Sequence, residues 1–430
     1  MNPLRTLFTY SALLAGFLCS SLHAQTTNVA VPAKVLDSYV GQYELAPGFV
    51  LTVRKDGEKL TAQATGQPPT RLRARSETDF EVLSVNASIT FNKDTSGKVT
   101  SLTLHQNGDH EATKTSSTVP KERVAIALDP KIAAAIVGQY ELAPGSILTI
   151  QRDGEKVRAQ LTDQPSVLIY PETEKDFFYK VVDAQITFEK DPSGKVTGLV
   201  LHQNGDKPAR KISDTAPSVK RPDVAKIPSR DPKAGPRLVD LTGKYYSPLT
   251  EQWHPNASGL PENENHLGSL PRGIQTFNGV EFDVRGVIQV NGTAAEFAGA
   301  AFPDSANGIK IGKKCKRLHF LHATGWSSDD GTAIGKYVLH YAGGQTATLD
   351  IIYGVDLRDW WVGSDGNKQI KSATVAWTGS SPAADAVGSS IRLFKRTYDN
   401  PKPELEIQTL DFVSTKAESA PFLVAITAEE

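Results

Sequence analysis

The 430-residue sequence predicts an all-β protein: two small β-barrel repeats followed by a larger jelly-roll β-sandwich. Three observations carry that expectation. The stretch from Val40 to Asp109 recurs without a gap, 97 residues later, as Val137 to Asp206, with about 42 of the 70 aligned positions identical. Within each copy, short alternating runs are broken by Asp-Gly and Ser-Gly-Lys turns, the pattern of antiparallel hairpins. Beyond residue 236, at least eight further alternating runs are separated by Gly-rich or Asp-rich turns, and no long helical periodicity competes with them.

Residues 1–24 read as a cleaved secretory signal. Arg5 supplies the positive start, Leu7 to Leu18 the apolar run, and Leu22-His23-Ala24 the small residue before the cut. Leu18 stands where lipidation at Cys19 would want a small residue, so simple cleavage is expected and the mature chain should be secreted or periplasmic. No later stretch reaches the roughly 18 to 20 apolar residues of a membrane span. With 47 Lys and Arg against 48 acids there is no basic excess to hold a nucleic acid. Removing the signal leaves Cys315 as the one thiol. Its setting between Lys314 and Lys316 could favour the thiolate, but a small buried strand residue is the preferred reading.

Each repeat, 32–114 and 129–211, should open with a short helix, Pro32 to Tyr39 and Pro130 to Val137, with Pro near its first turn. Hairpins follow at Asp56-Gly57 and Asp153-Gly154. A second pair is marked by Asp94 to Gly97 and Pro192-Ser193-Gly194. Both copies keep His105 and His202 at a strand end before Gln-Asn-Gly, and both keep Tyr43 and Tyr140. Neither His has an obvious acid or nucleophile at a fixed spacing, so these positions are read as structural. Residues 212–236, rich in Pro, Lys, Asp and Ser, read as an exposed linker. All five tryptophans lie in the last domain, 237–430.

The short helix, Val-Gly-x-Tyr-Glu-Leu-Ala-Pro-Gly, the Asp-Gly hairpin and the terminal Leu-x-x-His-Gln-Asn-Gly together resemble the lipocalin-like C-terminal domain of Pab87-type serine peptidases and β-lactamase-like hydrolases. The resemblance implies a lipocalin-like barrel that serves assembly or covers a partner's active site without carrying the nucleophile. No Ser is followed three residues later by Lys, and neither a Gly-x-Ser-x-Gly elbow nor a His-Glu-x-x-His helix is present, so no catalytic motif is assigned. The last domain is similar to galactose-binding-like jelly-roll modules through Phe282 to Gly286, Arg317 to His322 with Thr324-Gly-Trp326, Asp356 to Trp361 and Ala420 to Ile426. That class implies sugar binding.

The candidate ligand residues are Trp326, Asp356, Arg358, Asp359, Trp360 and Trp361. A pyranose needs a flat apolar platform with donors and acceptors around it, and indole, guanidinium and carboxylate supply these. The competing reading is a buried Trp pair pinned by an Arg-Asp bridge. His319 and His322 lie three apart on an expected strand and so face opposite ways, which rules out a shared metal. Asp329 and Asp330 have the oxygen character of a Ca²⁺ loop, though a solvated loop is preferred. The signal segment reads as bacterial in style, and on that expectation the sequons at Asn86, Asn256 and Asn291 carry little weight. No cofactor or metal is expected. The functional expectation is an exported, non-catalytic protein whose sandwich binds carbohydrate or another surface ligand, and whose repeats dock or assemble. The alternative is a structural scaffold or an accessory subunit of a separate serine hydrolase. A glycosidase using two carboxylates is the remaining possibility.

Overall fold

The computed structural model describes residues 29–430 except 47–48, 66–68, 83–86, 107, 122, 165, 181, 204, 220, 256–262 and 364–367. The signal segment with Cys19, and the sequons at Asn86 and Asn256, lie outside the described residues. The chain is all-β, and it divides into one unit holding both barrels and a second that begins at Val219. Among the described residues no helix is long and apolar enough to cross a membrane.

The first barrel opens with α1 (Ala33–Tyr39) and continues as β1 (Gly41–Ala46), β2 (Phe49–Asp56), β3 (Lys59–Ala64) and β4 (Thr70–Ala74). It is completed by β5 (Asp79–Val82), β6 (Ala87–Lys93), β7 (Val99–His105) and β8 (Asp109–Ser116). Each strand pairs antiparallel with the next, and β8 returns to β1, so no edge is left. The second copy repeats this as α2 (Pro130–Ile136), β9 (Gly138–Ala143), β10 (Ser146–Asp153), β11 (Lys156–Leu161) and β12 (Val167–Pro171). Its last strands are β13 (Asp176–Tyr179), β14 (Gln185–Lys190), β15 (Val196–His202) and β16 (Asp206–Ser213), closing on β9.

Eight strands enclose a space that side chains can fill or one small ligand can occupy. Here side chains fill it. In the first barrel Tyr39, from α1, stacks on Phe91 at 4.0 Å, and Phe80 meets Phe91 edge-on at 5.5 Å. The repeated Val-Gly-Gln-Tyr sequence is the joint between helix and barrel. Tyr43 donates its hydroxyl to the Tyr39 carbonyl (2.7 Å), and Tyr140 does the same to Ile136 (2.7 Å). Lys114 and Lys211 donate to the carbonyls of Ser38 and Ala135 (2.7 and 3.0 Å), so each helix's last turn receives a cation and its orphan acceptors are satisfied. Gly41 and Gly138 let the last strand approach: a Cβ there would lie 2.3 Å from the Ser116 carbonyl oxygen and 2.2 Å from that of Ser213.

The turns follow their residues. Gly57 and Gly154 take φ of +59° and +66° as the first residues of the two-residue loops Gly57-Glu58 and Gly154-Glu155, with Asp56 and Asp153 as the last paired strand residues. In the next hairpin the Asp94 carboxylate accepts from the Ser96 amide and hydroxyl and from the Lys98 amide, and Asp191 repeats all three bonds. Those bonds, the seryl hydroxyl first, hold both carboxyls below their usual range.

The second unit is a β-sandwich. Its strands are β17 (Ser247–Pro248), β18 (Gly273–Phe277), β19 (Val280–Val284), β20 (Gly286–Gln289), β21 (Ser305–Lys313) and β22 (Arg317–Gly325). Then come β23 (Ala333–Tyr341), β24 (Thr346–Ile352), β25 (Ala373–Gly379), β26 (Ile391–Asp399), β27 (Ile407–Ser414) and β28 (Ala420–Glu429). One sheet has the order β17-β20-β28-β22-β26-β25, the other β21-β27-β23-β24, with β18-β19 a separate hairpin. Phe320 of β22 stacks on Tyr337 of β23 at 3.9 Å, and Tyr337 packs on Phe412 of β27, joining the two sheets through one core.

The linker is shorter than the composition of 212–236 suggests. Strand β16 reaches Ser213, and from Val219 onward the chain belongs to the sandwich unit. Arg230 reaches Asp283 (3.1 Å), a 2 % exposed carboxylate that Arg285 also holds (2.9 Å). A buried carboxylate needs such partners. Cys315 is buried and its thiol is pushed up to about 11 by desolvation, which disfavours the reactive thiolate, although it sits in the connection between β21 and β22 and not in a strand. Asn291 is buried with its amide on Glu296 and Asp304, which leaves nothing for a glycan to join.

Candidate functional site

The rim of the sandwich near the end of β22 gathers most of the tryptophans. Strands β22 and β26 pair from Arg317↔Asp399 to His322↔Phe394 and then part. Residues 358–361 fill the gap as an extended segment. The Trp360 amide donates to the Thr324 carbonyl (2.8 Å), and the Arg392 amide donates to the Trp360 carbonyl (2.7 Å). Being extended, the segment alternates: Arg358 and Trp360 are buried, whereas Asp359 and Trp361 are half-buried.

That alternation corrects three of the six candidate residues. Trp360, at 2 % exposure, packs between Trp253 (5.2 Å), His254 (5.6 Å) and Phe422 (5.9 Å) and has no face to offer a sugar. Arg358, also 2 % exposed, is spent on Asp330, with Nη1 to Oδ1 at 2.8 Å and Nη2 to Oδ2 at 2.9 Å. Asp356 accepts from the Ile352 amide (2.8 Å) and from Arg396 Nε (2.6 Å), and its carbonyl accepts from His322 Nε2 (3.1 Å). These groups anchor the rim. Because Asp330 is consumed by Arg358, the Ca²⁺ reading of that loop loses its exposed ligand. Among the described residues no group of three or more His, Cys, Asp or Glu side chains gathers at metal-binding reach.

Trp326, Trp361 and Asp359 remain at the surface. Trp361 donates Nε1 to Asn265 Oδ1 (3.2 Å), and its backbone amide donates to Asp359 Oδ1 (3.0 Å). Trp326 holds φ of +59°, a region that costs a bulky residue on the order of 1–3 kcal/mol and persists where surroundings enforce it. The enforcing group is His254, whose ring stacks on the indole at 4.9 Å and 27°. His254 fits only because residue 325 is Gly; a Cβ there would lie 2.0 Å from the imidazole. Burial pushes His254 down to about 4, so the ring is neutral at ordinary pH. Its Nε2 donates to Gln289 Oε1 (2.9 Å), which also accepts from Trp253 Nε1 (2.9 Å), and Gln289 is itself held by three backbone carbonyls. The result is a braced, half-buried indole at Trp326, and a second half-buried indole, Trp361, packed on Trp360 (6.4 Å).

The repeats hold a second constellation, which spacing along the chain concealed. In the first barrel His105 Nδ1 lies 2.7 Å from Asp109 Oδ1, its Nε2 lies 2.9 Å from Thr90 Oγ1, and Thr90 donates to Asp79 Oδ1 at 2.6 Å. The second barrel repeats it with His202, Asp206, Thr187 and Asp176 at 2.7, 3.0 and 2.9 Å. The acid at i+4 was visible in the sequence. The other two partners come from neighbouring strands, where no fixed spacing announces them. Acid, imidazole and hydroxyl in a row match a nucleophile triad in outline. The hydroxyl hydrogen, however, goes to the extra carboxylate, and Thr90 lies mid-strand in a paired ladder that leaves no free amides for an oxyanion. His319 and His322 sit apart as expected. His319 bonds Thr397 and Glu429, while His322 is buried against Tyr337.

Comparison with known proteins bears on the repeats. Residues 25–116 and 122–217 each match a family model. Its description is a domain of unknown function, DUF3471. The two matched segments coincide with the two closed eight-stranded barrels of this chain, each with its helix packed into the core. Among curated proteins none matches the chain. A solved exo-β-1,3-galactanase from Phanerochaete chrysosporium, with β-1,3-galactotriose, aligns over 88 % of this chain and 94 % of its own at 8 % identity. Its TM-score of 0.14 supports no inference about fold or function.

Proposed function

We propose that the chain is an exported, non-catalytic binding protein whose sandwich takes carbohydrate at the Trp326–Trp361 rim and whose DUF3471 barrels serve docking or assembly. The observation that carries this reading is the half-buried indole of Trp326, held at φ +59° against a buried neutral imidazole. A braced aromatic face loses little freedom when a sugar's C–H face stacks on it, which is how rigid platforms gain affinity. Asp359, beside Trp361, and Ser327 and Ser328, which follow Trp326, supply polar groups. The likeness to galactose-binding-like jelly rolls and to the lipocalin-like domain of Pab87-type peptidases supports the same division of labour: a ligand module at one end, accessory modules at the other. The signal-like residues 1–24 support export.

The scaffold reading draws on the burial of Trp360, Asp356 and Arg358, which removes half of the residues first assigned to the ligand. One experiment separates the two. The full chain is titrated with a panel of soluble polysaccharides, alongside Trp326→Ala, Trp361→Ala and Trp360→Ala. Saturable binding weakened about tenfold or more by either of the first two changes, in folded protein, supports the platform, since one stacking contact is worth on the order of 1–3 kcal/mol. No binding to any polymer would favour the scaffold.

A further inference from the structure

The four-residue chain on each barrel contains more hydrogen bonds than a neutral imidazole can supply. Carboxylates only accept, and a threonine hydroxyl has one hydrogen. Thr90 gives that hydrogen to Asp79 (2.6 Å), and Thr187 gives its own to Asp176 (2.9 Å). The bond to Asp109 or Asp206, at 2.7 Å, therefore takes its hydrogen from Nδ1, and the bond to threonine takes its hydrogen from Nε2.

We infer that His105 and His202 each donate from both ring nitrogens, so that every barrel fastens its last hairpin with a carboxylate–imidazolium–threonine–carboxylate chain. The fastened parts are the turns joining β7 to β8 and β15 to β16, each Gln-x-Gly-Asp turn being bridged by its own histidine. The same geometry at two sites that have diverged at many other positions argues against a chance arrangement.

Groups of both signs face each ring. Around His105 stand Asp109 and, through Thr90, Asp79, with Glu111 and Glu81 on the same strands and His110 bonded to the Gln106 carbonyl of the same turn (3.2 Å). Glu81 is taken by Arg73, and Glu111 accepts from Ser101. The Asp79 carboxyl is held below its usual range, first by the Thr90 hydroxyl and then by Ser76, with the His105 charge adding to the effect, so it stays an acceptor. Around His202 stand Asp206 and Asp176, the latter also accepting from the Thr173 hydroxyl (2.8 Å), and the Lys207 ammonium, which donates to the Gln203 carbonyl of the same turn (2.5 Å). This inference is independent of the carbohydrate reading.

The test uses the full chain labelled with nitrogen-15 histidine, the two rings being assigned through His105→Gln and His202→Gln. Near neutral pH two rings are expected with protons on both nitrogens, each signal vanishing in its own variant. Two neutral rings protonated at Nδ1 alone would overturn the inference. The wild-type measurement needs no variant to fold. A second arm replaces Asp79→Ala together with Asp176→Ala, which removes the acceptor and frees each threonine hydrogen to turn toward Nε2. Both rings are then expected to lose the Nε2 proton. Rings still doubly protonated in that variant would overturn the assignment of the threonine as an acceptor.

Discussion

The two barrels share one backbone plan but have dressed it differently. Both keep the helix joint, the Asp-Gly and Asp-x-Ser-Gly turns, and the histidine fastener. They part company on the outer face of β3 to β5. The first barrel presents half-exposed Arg71, Arg73 and Glu81 there; the second has Leu168, Tyr170 and Phe178, with Leu168 and Phe178 buried. Inside, a volume has moved. Tyr39 on the helix with Val82 on the strand becomes Ile136 with Tyr179. The lesson is that close approaches and turn geometry specify this fold, while outer faces are free to change and the interior conserves volume more than identity.

The largest expected effect tests the shared joint. Gly41→Ala and Gly138→Ala each drive a Cβ into a carbonyl oxygen 2.3 or 2.2 Å away, at φ of +153° or +150°. Each should cost about 4 kcal/mol or more and unfold its own barrel. Hydrogen exchange, read strand by strand in the full chain, is the measure. If one barrel tolerates the change, the two joints are not equivalent.

Next comes a position where the copies differ in charge. Arg158 holds Asp153 at 2.9 Å with both nearly buried, whereas the first barrel has Thr61 and an exposed Asp56. Arg158→Thr leaves a buried carboxylate without its cation and should cost about 3 kcal/mol, part of it recovered by adding Asp153→Asn. The reverse change, Thr61→Arg, should stay within about 0.5 kcal/mol because nothing buried depends on it. Similar losses for both changes would deny that the second barrel's face is specialised.

A smaller effect addresses the moved volume. Tyr39→Ile removes a ring stacked on Phe91 and a hydroxyl bonded to the Glu77 carbonyl, for about 2 kcal/mol. Adding Val82→Tyr reproduces the second barrel's pair and should recover at least half. A double-mutant cycle without coupling would show that the two interiors are not alternative solutions to one packing problem.

Local signals made much of this legible in the sequence. Both short helices, both Asp-Gly hairpins and seven of the eight alternating runs of the sandwich are where the pattern put them, while the eighth, Val280 to Val290, breaks at Arg285 into β19 and β20 of different sheets. Strand β21 escaped notice because Gly308 and Gly312, at register shifts against β27, break its alternation. The site was less legible. Asp356 to Trp361 reads as a rim loop, and only the wedge between β22 and β26 makes it alternate, turning Trp360 inward and Trp361 outward. His254 gave no signal at all, since its role depends on Gly325, 71 residues away along the chain.

The finest test concerns how each helix starts. Asp129 caps α2 by accepting from the Lys131 amide at 2.7 Å, with Pro130 at the first helical position. In α1 the proline itself, Pro32, occupies the cap and makes no side-chain bond. The backbones at the two caps are nearly superimposable in torsion, φ −56° and ψ 140° against φ −62° and ψ 127°. Asp129→Ala should therefore cost about 1 kcal/mol and speed exchange at the Lys131 amide. Moving the proline by one, with Pro32→Asp and Ala33→Pro together, keeps one proline in the chain and should give the first barrel about the same 1 kcal/mol that the second loses. Failure of that transplant in a folded barrel would mean that the entry to α1 is set by what precedes it, and that the two copies diverge in how their barrels begin as well as in what they display.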